Sequence, residues 1–172
     1  ECHGYNEGPG GVALFGVGRR YIPGATYLVT VRVRDDNESG AGFELSAETP
    51  TGHAGLFALA DAVRTRFSGP GGSDTNYVTH SFDGVNDSVA TWAANGNATS
   101  YPVLWQAPES DQGAVTLFGV GLTMNNNGQQ LDDKYYYAYV TMQYAEPFDA
   151  DGDTDGDLRD AAVLQRCLGY PV

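Results

Sequence analysis

The chain has 172 residues, with 22 Asp and Glu against 9 Lys and Arg, a formal net charge of −13. That balance argues against nucleic acid and anionic membrane surfaces as partners. No uninterrupted apolar run reaches the roughly 18 residues of a transmembrane helix, so membrane insertion is not expected. The length is enough for one domain with a sizeable core. Lysine is nearly absent, while 23 glycines, 11 tyrosines and many β-branched residues point to an all-β fold.

Residues 1–20 are rich in glycine and read as an irregular N-terminal arm. A turn at Tyr21-Ile-Pro-Gly-Ala leads into a strand over 26–34, in which Tyr27, Val29, Val31 and Val33 alternate with Leu28, Thr30, Arg32 and Arg34, so that one face is buried. Gly42 to Glu48 reads as a second strand, and His53 to Phe57 as a short one. The stretch 58–67 fits a strand or a short helix, and Tyr77 to Ser81 is a strand after a flexible loop. Ser88 to Trp92 and Tyr101 to Gln106 read as strands flanking a turn rich in Asn and Gly. Val115 to Met124 is apolar on both faces, as in the middle of a sheet, and Tyr135 to Tyr144 is a long last strand with tyrosines on both faces. Strands at these intervals without helical crossovers predict an immunoglobulin-like antiparallel β-sandwich over 21–146, followed by a separate unit over 147–172.

The most chemically specific stretch is that last unit. Asp149, Asp151, Asp153, Asp155, Asp157 and Asp160 occupy positions 1, 3, 5, 7, 9 and 12 of a loop, close to the ligand spacing of an EF-hand. Carboxylates this crowded repel one another unless a cation neutralises them, and Ca2+ accepts six to eight oxygen ligands. In this register Asp149, Asp151 and Asp153 offer their side chains, Asp155 its carbonyl, Asp157 acts directly or through water, and Asp160 closes the site. Thr154 stands where the loop's usual glycine would be; a solvated acidic linker is the plainer alternative. Leu158, Ala161, Leu164 and Leu168 then form an apolar stripe at helical spacing. Cys2 and Cys167, near the two ends, are candidates for a disulfide within or between subunits. Asn37, Asn86 and Asn97 each begin a glycosylation triplet in an expected turn. No nucleophile elbow, zinc-protease motif or phosphate loop is present, and Glu44 and Glu48 read as solvated strand residues, so a non-enzymatic role is expected.

The Asp loop and the helix after it resemble one half of a type I dockerin repeat, over Asp149 to Leu168. A whole dockerin has two such loops, so cohesin binding is not implied; a calcium-locked unit packing on its own domain or a neighbour is. The ordered set Cys2-His3-Gly4, Tyr21 to Val31, Gly42 to Ala47, Ala54 to Phe57, Tyr77 to His80, Trp105 to Pro108 and Gly113 to Phe118 resembles the reelin-like, choice-of-anchor β-sandwich. That resemblance implies a secreted sandwich. It also implies a c-type haem attachment segment at Cys2 and His3, with His80 as second axial ligand, although the first cysteine of the attachment motif would precede residue 1. His3 as a solvated residue and His80 as a hydrogen-bonded structural histidine are the plainer alternatives. The functional expectation is a secreted, calcium-binding structural or adhesive module of the cell exterior, self-associating into filaments or binding another extracellular protein. The alternative is an extracellular electron carrier with haem c, and a third reading is a polysaccharide-binding accessory module.

Overall fold

The computed structural model describes residues 4–5, 9–129, 132–146 and 157–169. The strands are Gly4–Tyr5 (β1), Gly11–Phe15 (β2), Arg20–Tyr21 (β3), Thr26–Arg34 (β4), Gly40–Thr49 (β5), Gly52–His53 (β6), Leu56–Leu59 (β7), Thr65–Ser68 (β8), Asp74–His80 (β9), Ala98–Gln106 (β10), Val115–Met124 (β11) and Lys134–Tyr144 (β12). Two α-helices, Phe82–Thr91 (α1) and Leu158–Cys167 (α2), and two short 3-10 turns, Pro70–Gly72 and Ala93–Asn95, complete the described elements. One sheet runs β1-β12-β11-β5-β9-β8, with β3 also on β12 and β6 on β5; the other runs β2-β4-β10-β7.

The two sheets bury their facing sides against each other, as alternation along each strand dictates. Val29, Val31 and Val33 of β4 and Tyr101, Val103 and Trp105 of β10 meet Phe43 and Leu45 of β5 and Val115 and Leu117 of β11. Full burial of each aliphatic side chain contributes about 1.5–3 kcal/mol. Two of the core aromatics have their polar atoms satisfied: Trp105 Nε1 donates to the Ala54 carbonyl at 3.0 Å, and Tyr101 Oη donates to the Ala41 carbonyl at 2.7 Å. Phe43 and Tyr101 stack across the core with ring centroids 4.6 Å apart. At Gly119 and Gly121 β11 carries no side chain inward, and Leu14, Val12 and Val33 fill the space.

Two sequence expectations need correction. Residues 11–20 are not an arm separate from the sandwich: β2 pairs with β4 in one sheet, and β3, which begins at Arg20, pairs in parallel with β12 in the other. The apolar alternation Val12-Ala13-Leu14 was masked by the surrounding glycines, and it is this face that covers Gly119 and Gly121. Ser88 to Trp92 is not a strand but the end of α1 and the residue after it. The helix starts where Ser81 caps it, its hydroxyl accepting from the Gly84 amide at 3.0 Å. Gly84 lies so close to the Arg64 carbonyl that a Cβ there would come within 2.2 Å of it. Ser88 then bonds the Ala41 main chain, donating to the carbonyl at 2.9 Å and accepting from the amide at 3.0 Å, so one hydroxyl anchors α1 to β5. The ambiguous stretch 58–67 resolves into β7, a turn and the start of β8.

Candidate functional site

The outer side of the larger sheet carries an exposed aromatic patch. On the outer side of the larger sheet, β11 and β12 place residues opposite one another: Phe118 with Tyr139, Val120 with Tyr137, and Leu122 with Tyr135. Tyr137 and Tyr139 are 63% and 64% exposed, and Phe118 and Val120 are 45% and 39% exposed. The Phe118 and Tyr139 rings lie 6.2 Å apart, tilted by 40°. β11 has apolar residues on both faces, as the sequence suggested, but no layer covers its outer side among the described residues. Phe118 and Val120 are therefore surface residues, which sequence pattern alone did not reveal.

This face ends at an incompletely paired edge. Gln143 and Ala145 donate from β12 and the residue beyond it to the carbonyls of Arg19 and Tyr21, at 2.8 and 2.9 Å. Odd-numbered residues of β12 thus turn their backbone groups away from β11. β1 occupies that edge at Lys134 and Tyr135, and β3 at Gln143 and Tyr144. Between them Tyr137, Tyr139 and Thr141 meet no strand on that side among the described residues. The even-numbered Tyr136 points the other way, into the sandwich.

There it joins a buried charge cluster. Tyr136 Oη donates to Asp35 Oδ2 at 2.6 Å, and the Asn37 amide donates to Asp35 Oδ1 at 2.9 Å. Lys134 Nζ lies 2.7 Å from Glu38 Oε1 and 3.8 Å from Asp35 Oδ2. The side chains of Asp35, Glu38 and Lys134 are 0%, 3% and 20% exposed. Glu38 Oε2 is buried without a hydrogen-bond partner among the described residues. Burial, then the hydrogen bond to Asp35, pushes the Tyr136 hydroxyl up to about 12. The hydrogen bond that Lys134 donates to Glu38 holds its ammonium above the ordinary lysine value. The sequence reading missed all four residues.

The candidate metal ligands divide at the start of α2. Asp149, Asp151, Asp153 and Asp155 lie outside the described residues. Asp157 and Asp160 form a capping box, in which the Arg159 amide donates to Asp157 Oδ1 and the Asp157 amide donates to Asp160 Oδ2, both at 2.6 Å. Asp160 is 2% exposed, a buried carboxylate at a helix N-terminus. No group of three His, Cys, Asp or Glu among the described residues could hold a metal ion. Leu158, Leu164 and Leu168 of the predicted stripe are exposed.

Cys2 and His3 also lie outside the described residues. His80 is mostly buried. Its Nδ1 lies 3.0 Å from both the amide and the carbonyl of Phe43, taking over part of the β5–β9 pairing. Burial holds its pKa below the ordinary histidine value. Bonded in this way, Nδ1 fits the hydrogen-bonded alternative, and Nε2 is the ring nitrogen that could meet a ligand. His53 pairs instead with Glu48, Nδ1 to Oε1 at 2.9 Å. Cys167 is a free, exposed thiol. Asn37 is exposed in a turn as expected, but Asn86 is exposed on α1 rather than in a turn, and Asn97 is half-buried in a left-handed conformation at φ 56°.

No family model and no curated protein sequence matches the chain. Solved structures do. A fragment of the human F-spondin reeler domain is similar with a TM-score of 0.55 at 20% identity, covering 83% of this chain and 96% of that one. The Reelin-N domain of F-spondin is similar with a TM-score of 0.51 at 23% identity, covering 82% and 89%. The chain has a reelin-like β-sandwich fold, in agreement with the resemblance read from its motifs.

Proposed function

We propose that this chain is an extracellular structural and adhesive module, whose contact surface is the outer face of β11 and β12. One observation carries the reading: Phe118, Val120, Tyr137 and Tyr139 form a contiguous exposed aromatic and aliphatic patch beside an edge whose central residues meet no strand partner among the described residues. Such a patch marks an interaction site on a soluble domain, and an unpaired edge accepts a strand from another chain. The occupant is a second copy of the chain. Each copy also carries an exposed apolar stripe on α2; a contact between that stripe and the β11–β12 face would join unlike surfaces and propagate as a filament rather than close as a dimer.

Calcium fits the same reading. With a net charge of −13, copies repel one another, and a cation bound by Asp149, Asp151, Asp153, Asp155, Asp157 and Asp160 would lower that charge while fixing α2. Sedimentation velocity tests the proposal. Wild type should form larger species as protein and Ca2+ rise, and Phe118→Ser combined with Tyr139→Ser should remain monomeric. A wild type that stays monodisperse at high concentration in calcium refutes self-association. Retention of that monomer on insoluble polysaccharide, lost in Tyr137→Ala, would assign the face to carbohydrate instead.

A further inference from the structure

We propose that Lys134 and Asp35 condense into an intramolecular amide bond, with Glu38 carrying the protons. The argument begins with composition. Lys134 is the only lysine in this sequence, and the eight other cationic side chains are arginines. It is also the cation placed between two buried carboxylates. For a buried ion pair alone arginine is the better residue, because its planar fork matches a carboxylate and is more weakly hydrated. A guanidinium, however, stays protonated and cannot act as a nucleophile, whereas an amine can.

The three groups stand in the order the reaction needs. Glu38 Oε1 touches Nζ at 2.7 Å, within the reach required of a general base. Its other oxygen has no hydrogen-bond partner among the described residues. Asp35 is held from both sides, by Tyr136 Oη on Oδ2 and by the Asn37 amide on Oδ1. Those two donors polarise the carboxyl group and would stabilise the oxygen of a tetrahedral intermediate. Nζ lies 3.8 Å from Asp35 Oδ2, which makes the carboxyl group it would attack an immediate neighbour of the amine. Asp35 is fully shielded from water, which would otherwise compete with the amine and favour hydrolysis.

The bookkeeping closes without an oxidant, a reductant or an activating group. The Lys134 ammonium gives one proton to Glu38, which passes it to the Asp35 carboxylate. The neutral amine attacks Asp35 Cγ, and the C–N bond forms. Glu38 takes a second proton from the nitrogen and delivers it to the departing hydroxyl. The C–O bond breaks, and one water leaves. The product is a secondary amide, and Glu38 ends as it began. The driving force is the removal of a buried ion pair, whose desolvation is costly, in favour of a neutral group. The bond would join the residue after β4, in one sheet, to the first residue of β12, in the other. It would close a loop of roughly a hundred residues. This holds whether or not the chain self-associates.

The single lysine makes the test direct. Wild-type protein, denatured and digested with a lysine-specific protease, should resist cleavage after Lys134. Its intact mass should be lower than the sequence mass by one water, and peptide mapping should recover the segments around Asp35 and Lys134 as one linked species. Glu38→Gln should restore complete cleavage and the full mass while circular dichroism shows a folded sandwich. Full cleavage of wild type, with no mass deficit, overturns the proposal irrespective of how the variants fold. Linked peptides that persist in folded Glu38→Gln would overturn the role given to Glu38.

Discussion

The approach of the two sheets at β11 can be tested with a pair of glycine substitutions that look equivalent in sequence. A Cβ built on Gly121 would lie 2.8 and 2.9 Å from the two γ-carbons of Val33 and 3.2 Å from Val12 Cβ. Val33 cannot move aside. It is fully buried, its β-branched side chain has one comfortable rotamer, and β4 is hydrogen-bonded to β2 on one side and β10 on the other. A Cβ on Gly119 meets Leu14 Cδ2 at 2.7 Å, with the next atom at 3.5 Å. That contact is the tip of a flexible side chain on an edge strand, and a rotamer change relieves it. Gly121→Ala is therefore expected to cost about 1–3 kcal/mol by overpacking, and Gly119→Ala less than about 1 kcal/mol. Both lose the same unfolded-chain entropy, about 0.4–1 kcal/mol in favour of alanine, so that effect cancels in the comparison. At about 2–4 °C per kcal/mol for a chain of this size, Gly121→Ala should lower Tm by about 2–12 °C. Urea unfolding followed by the fluorescence of buried Trp105 gives the free energies directly. Equal losses in the two variants, or a larger loss for Gly119→Ala, would refute the reasoning.

Three further outcomes follow from the same geometry. Chelation should lower Tm and Asp153→Ala should abolish the difference, because a ligand that binds only the folded chain stabilises it by mass action; an unchanged melt removes calcium. Tyr136→Phe leaves buried Asp35 Oδ2 without its phenol donor and should cost about 1–3 kcal/mol in urea unfolding. It should also flatten the alkaline limb of the stability profile. With the Tyr136 hydroxyl pushed up to about 12, the folded state keeps its proton longer than the unfolded chain, so stability is full below the ordinary tyrosine value and falls as pH rises through that window. His80 acts at the acid end. Its pKa is lowered in the fold, so the unfolded chain binds the proton first and stability falls as pH drops below the ordinary histidine value. Urea titrations between pH 7.5 and 5.5 should show that fall, and an equal fall in His80→Gln would assign it to other groups.

Sequence carried the sandwich well where a strand has one wet and one dry face. β4 is the clearest case, with Val29, Val31 and Val33 buried and Arg32 and Arg34 exposed, as its alternation implies. It failed where a local pattern was overridden by contacts distant in sequence. Ser88-Val-Ala-Thr has the β-branched content of a strand, yet the Ser81 cap, the close fit of Gly84 against Arg64 and the two bonds from Ser88 to Ala41 make it helical. None of those partners lies within the stretch itself. β11 shows the converse error. An apolar strand in mid-sheet usually signals cover on both faces, and here the uncovered face is the candidate contact surface, because nothing in Phe118 or Val120 distinguishes a core residue from an interface residue.

The buried cluster was unreadable as a cluster, since Asp35 and Glu38 precede Lys134 and Tyr136 by roughly a hundred positions. One trace of it stood in the composition. A chain that uses arginine for eight of its nine cations has little reason to place its one lysine between two shielded carboxylates if charge is all that is wanted there. Arginine would fill Glu38's empty hydrogen-bonding position with a second N–H, whereas the lysine leaves Glu38 Oε2 bare. A buried acceptor left unsatisfied costs about 1–3 kcal/mol. That cost becomes intelligible when the oxygen is a site for a proton in transit, and the amine beside it a nucleophile whose target carboxyl is already held by Tyr136 and Asn37.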